Sequence, residues 1–319
     1  VKFAVHERVK ELRKIWSGFR PARVLITANN YRVFDHLLHP RSACAVSENL
    51  NTDLRGTEIL LDALVAIGLL VKQKNRYRNT AAASQFLVSG KKYYQGDIIR
   101  HADALWENWS GLDEVLKTGK PCHRFRDRQA FILGMHNIAS LKAKDVIDII
   151  GLKGVRTALD LGGGPGTYSI EMARRGIKVT LFDLPETIEI ARKVIGKEKK
   201  TDGIVLMGGD FMADDIGKGY DLIFISQILH AYSEKDNLRL LKKCKKVLNK
   251  GGRMGIQEFY IDRARTHPMQ GALFSVNMLV NTEGGRCYST EEIRRWILKT
   301  GLKKIKKGFI DDAVVIVGE

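Results

Sequence analysis

The chain has 319 residues, 44% of them hydrophobic and 28% charged, enough to bury a substantial core divided into two domains. No apolar run approaches the ~20 residues that span a bilayer, and the charged start VKFAVHERVKELRK lacks the apolar stretch of a secretory signal. The four cysteines (Cys44, Cys122, Cys244, Cys287) form no CxxC pair, which argues against a disulfide framework or a metal site and for a cytoplasmic protein without membrane contact.

The formal charge of +17 raises nucleic acid as a partner. The basic residues run through both halves rather than one arm, which predicts a diffusely basic surface and no nucleic-acid binding. Residues 1–20 read as an amphipathic helix ending near Gly18, with Pro21 forcing a break. Residues 22–39 read as a second helix stopped by Pro40, and a short helix follows at about 43–50. Asn51-Thr52-Asp53 caps a longer helix whose apolar stripe is Leu54, Leu60, Leu61, Leu64, Ile67 and Leu70, with Gly68 near its end. The stretch VKQKNRYRN then reads as a tight basic hairpin, completing the pattern of a winged helix. A DNA-reading helix presents cations and amides on its first turns, but this one offers Arg55 against Glu58 and Asp62. The basic wing (Lys72, Lys74, Arg76, Arg78) argues the other way.

Residues 97–150 read as mostly helical, with a loop around Gly119-Lys120-Pro121. Beyond them, short apolar runs at 158–161, 179–182, 221–226 and 253–257 alternate with helical stretches, the signature of a parallel sheet covered on both faces. Two closing strands, 304–309 and 313–317, are separated by too few residues for a parallel crossover and must pair antiparallel. The expected division is 1–96 as a winged-helix-like module, 97–150 as a helical connector, and 151–319 as a Rossmann-like domain.

The segment ALDLGGGPGTYSIEMARRG sets Asp160, Gly162, Gly164 and Gly166 between a strand and a helix, a turn that lets a ligand lie against bare backbone. The strand KVTLFD ends in Asp183, suited to hold ribose hydroxyls. Together they suit an adenosine-containing cofactor. The dinucleotide fingerprint G-x-G-x-x-G fails, since its sixth position from Gly162 is Thr167, and no Lys-Ser/Thr of a phosphate loop follows. Asp160 would repel a pyrophosphate, whereas it matches the amino group of a methionine moiety.

On these residues the chain resembles the class I S-adenosylmethionine-dependent methyltransferases, and within them the plant-type and hydroxyindole-type small-molecule O-methyltransferases. DLGGGPG, LFDLPETIEIAR, Gly208-Gly209-Asp210-Phe211 and LNKGGRMGIQE occur in the family's order and spacing. The resemblance implies a seven-stranded, mostly parallel sheet with an antiparallel C-terminal strand, and an N-terminal module that pairs two subunits into a homodimer. It implies S-adenosylmethionine as cofactor, S-adenosylhomocysteine as product and no metal. The cofactor residues it implies are Asp160, Gly162, Gly164, Asp183, Leu184, Gly209, Asp210, Phe211, Ser226 and Gln227.

Ligands of open α/β sheets lie outside the carboxyl ends of the strands, and there the fourth strand runs into His230 while the fifth ends at Glu258. A neutral imidazole can take a phenolic proton as the methyl transfers, and a carboxylate on its far nitrogen fixes the tautomer. The resemblance names the same pair, His230 as base and Glu258 as orienter. Two departures stand out: Ala231-Tyr232 where the family has Asp-Trp, and Cys287 after Gly284-Gly285-Arg286 where plant members carry a second Glu. For the acceptor wall the resemblance implies Phe131, Met135, Met278 and Asn281, with Phe274 assignable to wall or core. The reading is therefore O-methylation of a hydroxylated aromatic or related small metabolite. Methyl transfer to nitrogen or carbon, non-methylating chemistry on the same fold, and a ligand-sensing transcription regulator stay open as alternatives.

Overall fold

The computed structural model describes residues 2–122 and 127–319; the part of the expected helical connector at 123–126 lies outside the described residues. The chain divides into two compact units, one ending at Asp103 and the other running Ala104–Glu319.

In the first unit, helices α1 (Lys2–Ser17) and α2 (Phe19–Asn30) part at Gly18. Pro21 sits in the first turn of α2, where its missing N–H has no helical partner to lose. The second helix is shorter than the 22–39 expected. It ends at Asn30, Arg32 takes a φ of 53°, and Val33–His36 form a 3-10 turn. The side chains of its last residues serve tertiary bonds instead: Asn29 Nδ2 donates to the Gly96 carbonyl at 2.9 Å and Asn30 Nδ2 to Asp103 at 2.7 Å.

Helix α3 (Ala43–Leu50) and helix α4 (Leu54–Ala66) follow, the latter capped by Asp53, whose Oδ1 accepts from the Gly56 N–H at 2.6 Å. At its other end Gly68 takes a φ of 79° while Gly68 N donates to Val65 O and Leu69 N to Leu64 O. Leu70 thus leaves the helical stripe and opens strand β1 (Leu70–Gln73), still buried. Lys74 and Asn75 both take positive φ, the two-residue turn that joins β1 to its antiparallel partner β2 (Arg76–Asn79). The short helix α5 (Ala81–Phe86) closes the unit, and α6 (Gly96–Trp109) straddles the division.

The second unit continues with α7 (Leu112–Thr118) and the 23-residue α8 (Arg128–Ile150). Then come β3 (Thr157–Leu161), α9 (Thr167–Arg174), β4 (Lys178–Asp183), α10 (Pro185–Ile195), β5 (Ile204–Gly208), β6 (Tyr220–Ser226), α11 (Glu234–Val247) and β7 (Leu248–Phe259). Helices α12 (Met269–Asn281) and α13 (Thr290–Lys299) precede the hairpin of β8 (Ile305–Ile310) and β9 (Ala313–Gly318). The sheet order is β5-β4-β3-β6-β7-β9-β8. The first five strands pair in parallel, and β9 runs antiparallel to both β7 and β8, as the sequence predicts.

The pleat sends successive side chains to opposite faces. Leu159, Leu161, Ile223, Ile225, Met254 and Ile256 pack into one core with α11 and α13 residues such as Leu241 and Trp296. Ala158, Leu222, Phe224 and Val315 pack into another with Val146, Ile147 and Met172 of α8 and α9. The strand order reverses direction at β3, so the loops after β3 and β6 diverge there and open a crevice at the carboxyl edge. Among the described residues no helix is long and apolar enough to cross a membrane.

Candidate active site

Three loops leave the carboxyl edge and meet at Gly162. Its backbone has a φ of 66°, and a side chain there would strike Ile228 of the loop after β6 and touch Phe211 of the loop after β5. Gly162 N donates to Phe182 O at 2.8 Å, which holds the turn against β4. Gly164, at a φ of 55°, differs from its neighbours: a side chain there would project into open space. The loop is thus packed from behind and bare in front, a cradle for a ligand.

Asp183 governs the other rim. Its Oδ2 accepts from Gly164 N at 2.8 Å and its Oδ1 from Leu184 N at 2.7 Å, tying the end of β4 to the glycine loop. Burial nonetheless pushes its carboxyl above the ordinary aspartate value. Gly209 N donates to the Asp183 carbonyl, and a side chain at Gly209 would overlap the Phe182 ring. Asp210 accepts from Met212 N at 2.8 Å, while Phe211 is buried with its ring edge-on to Tyr232 at 5.9 Å.

Asp160 is buried behind the loop. Its Oδ2 accepts from Ser169 Oγ at 2.6 Å, whereas its Oδ1 has no hydrogen-bond partner. Burial pushes its carboxyl up to about 6, the Ser169 hydroxyl pulling it down and nearby Asp183 adding to the rise. On the same face of the sheet, Ser226 Oγ donates to Gln257 Oε1 at 3.0 Å. Gln227 sits at a φ of 59°, a strained conformation for a residue with a side chain, and its buried Oε1 is likewise unpartnered.

The next residue of β7, Glu258, turns to the opposite face. Its Oε2 lies 2.7 Å from His230 Nδ1. Its Oε1 accepts from the backbone N–H groups of Ile228 at 2.9 Å and Leu229 at 2.7 Å. The carboxylate therefore fixes both the imidazole and the turn that carries it. Glu258 is 3% exposed and His230 12%, which leaves the far ring nitrogen the free end of the pair. Cys287 is buried and its thiol is pushed up to about 11 by burial, with Glu258 adding to the rise, so it contributes no charge at neutral pH. Behind the histidine, Gly285 approaches so closely that a side chain would strike the His230 carbonyl.

The four expected acceptor-wall residues are dispersed over two helices. Phe131 and Met135 lie four residues apart on α8, the first 43% exposed and the second half-buried, and neither joins the buried cores. His136, beside Met135, places its Nδ1 2.9 Å from Thr167 Oγ1 at the start of α9, which anchors this part of α8 to the glycine loop. Met278 of α12 is buried. Asn281 accepts from Asn108 Nδ2 at 2.8 Å and donates to the Asn277 carbonyl at 2.8 Å, so its amide engages protein groups. Sequence reasoning does not reach the Ile228 and Leu229 donors, Ser169, His136 or Phe259. Backbone donors carry no side-chain signature, and the others act through partners from distant elements.

A family model described as the O-methyltransferase domain matches residues 94–303, well over half of the chain. The chain belongs to the O-methyltransferase family. A second model, the O-methyltransferase dimerisation domain, matches residues 14–89. The enzyme is 32% identical over 274 residues to 3-hydroxy-5-methyl-1-naphthoate 3-O-methyltransferase of Streptomyces sahachiroi, covering 82% of this chain and 79% of that protein. It is 29% identical over 296 residues to acetylserotonin O-methyltransferase of Gallus gallus, covering 84% and 85%. Among solved structures it is similar to PigF, a Serratia S-adenosyl-L-methionine-dependent methyl transferase solved with S-adenosylhomocysteine. That likeness has a TM-score of 0.87 at 26% identity and covers 97% of this chain and 99% of PigF.

This O-methyltransferase depends on S-adenosylmethionine, and its residues fit that cofactor. The open front of Gly164 leaves bare backbone for a ligand to lie against, and the unpartnered Oδ1 of Asp160 is a buried acceptor that suits an ammonium group.

Proposed function

We propose that the enzyme methylates the hydroxyl of a hydroxylated aromatic metabolite, with His230 as general base and Glu258 as its orienter. The observation that carries this reading is the 2.7 Å contact of His230 Nδ1 with Glu258, a carboxylate that also holds the turn beneath the ring. Glu258 keeps the proton on Nδ1, so Nε2 presents its lone pair outward. A phenol with a pKa near ~10 is about 0.1% ionised at neutral pH, and proton removal by the imidazole contributes roughly 10²–10⁴-fold. As the acceptor oxygen takes the methyl, the carbon–sulfur bond would break with its electron pair returning to sulfur, leaving the neutral thioether as product; the acceptor's proton passes to Nε2, and Glu258 stabilises the imidazolium.

When bound, S-adenosylmethionine supplies an electrophilic methyl on a positively charged sulfur. Asp160, Gly162 and Gly164 receive its methionine end together with Ser226 and Gln227. Asp183 and Leu184 hold the ribose, and Gly209, Asp210 and Phe211 hold the adenine. Phe131, Met135 and Met278 shape the acceptor wall, with Asn281 bracing α12. No metal is required by this arrangement.

The N-terminal unit serves homodimerisation. Val5, Val9, Leu12 and Trp16 are spaced four, three and four residues apart on α1 and are all exposed in the single chain, a stripe suited to a second copy. Lys72 of the wing is paired with Asp62 at 2.7 Å, which lowers the charge available to a phosphate backbone. Light scattering should return twice the chain mass, and Trp16→Asp should reduce it.

The reading is tested by incubating the enzyme with S-adenosylmethionine and a panel that includes 3-hydroxy-5-methyl-1-naphthoate and N-acetylserotonin, then reading methyl gain by mass spectrometry. His230→Ala should lower turnover by roughly 10²–10⁴-fold while S-adenosylhomocysteine affinity is kept. Turnover retained in that variant refutes the base.

A further inference from the structure

We propose that Phe274 is a positioning residue for His230, holding the imidazole plane while Glu258 holds its Nδ1. The proposal rests on the reading of His230 as base. A single hydrogen bond at one ring atom is a hinge: it fixes distance but leaves the plane free to swing. The flank of the ring supplies the second constraint. The Phe274 ring lies 4.9 Å from the His230 ring at an interplanar angle of 86°, an edge-to-face contact. Phe259 backs it, with centroids 3.9 Å apart from Phe274 and 6.2 Å from His230.

Neither phenylalanine belongs to the buried cores; both are half-buried beside the histidine. A core role would bury them, whereas a role at the rim of a cleft leaves them as they are. The support of Phe274 is rigid in turn. On the next turn of α12, Asn277 Oδ1 accepts from Trp109 Nε1 at 2.8 Å and from Asn281 Nδ2 at 3.1 Å, and Asn281 is bound to Asn108. These bonds fix the register of α12 against α6. Adjacent to Phe274, Ser275 Oγ accepts from the Cys287 N–H at 3.2 Å and joins α12 to the loop that backs the histidine. The aromatic flank is therefore delivered from a braced helix, and it also keeps water from that side of the ring.

Nuclear magnetic resonance of the full-length enzyme labelled with ¹⁵N-histidine tests this without an acceptor, by the solvent exchange rate of the His230 Nδ1–H, assigned from its loss in His230→Ala. Phe274→Ala should speed exchange about 2- to 13-fold, the range expected for losing one aromatic contact. Phe274→Tyr should restore the native rate. Phe274→Leu, which keeps most of the bulk and secures the test should the alanine variant not fold, should speed it about threefold. S-adenosylhomocysteine affinity, measured by calorimetry, serves as the check on folding. Native exchange in Phe274→Leu and Phe274→Ala overturns the proposal. That outcome is distinct from retained turnover in His230→Ala, which would overturn the base and leave the ring's immobilisation standing.

Discussion

Replacing Asp160 by Asn should make the free enzyme more stable and its cofactor complex weaker. The carboxyl is buried, bonded on one oxygen to Ser169 and unpartnered on the other, and its pKa is raised to about 6. An unfolded aspartate titrates near ~3.9. Between these values the folded state holds a proton that the unfolded state has released. This group's contribution is therefore most favourable below about 4 and is lost as pH rises through about 6. A shift of about 2 units at about 1.4 kcal/mol each leaves a penalty of about 3 kcal/mol at pH 8. Asn keeps an acceptor for Ser169 and carries no charge. Denaturant melts of the free protein should find Asp160→Asn more stable than wild type by up to about 3 kcal/mol at pH 8, with the difference shrinking toward pH 4. Calorimetry with S-adenosylhomocysteine should find affinity lower by roughly 10- to 100-fold, the loss of a charge-assisted hydrogen bond. A variant that is less stable than wild type at pH 8, or that binds with native affinity, refutes the reasoning.

Glu258→Gln keeps an oxygen for the Ile228 and Leu229 N–H groups but surrenders the charge, so turnover should fall by roughly 10²–10⁴-fold with modest loss of stability. Glu258→Ala should add about 2–4 kcal/mol of destabilisation, because one buried and one part-buried backbone donor lose their acceptor; denaturant midpoints separate the two variants. Gly164→Ala places a side chain in the open front of the loop at a φ of 55°. It should cost about 1–2 kcal/mol of stability and lower S-adenosylhomocysteine affinity by more than that strain accounts for, as read by calorimetry.

The doubly covered sheet and its antiparallel closure were legible because each depends on local pattern: apolar runs, the Asp160–Gly166 turn, and a connection between β8 and β9 too short for a crossover. The end of α2 was not, since the amides of Asn29 and Asn30 bond to Gly96 and Asp103, 67 and 73 residues away along the chain. Strand β5 surfaced only as part of a motif. A short apolar run does not announce its conformation, and this one lies at the sheet edge with Val205 exposed. His230 and Glu258 were readable as residues at strand ends. The Phe274 contact was not, because it depends on a helix register set by Trp109 and Asn108 from α6.

Gln257 and Glu258 are consecutive on β7, yet the first faces Ser226 and the second His230. On the proposed reading of the site, the pleat thus assigns adjoining codons to different duties, one beside the methyl donor and one beside its recipient. Changes in α12 and the loop after it should then retune which molecule is accepted while the donor's berth stays as it is. A lineage can explore new acceptors without relearning how to hold its cofactor, whereas a one-residue slip of β7 would exchange the two duties and abolish both.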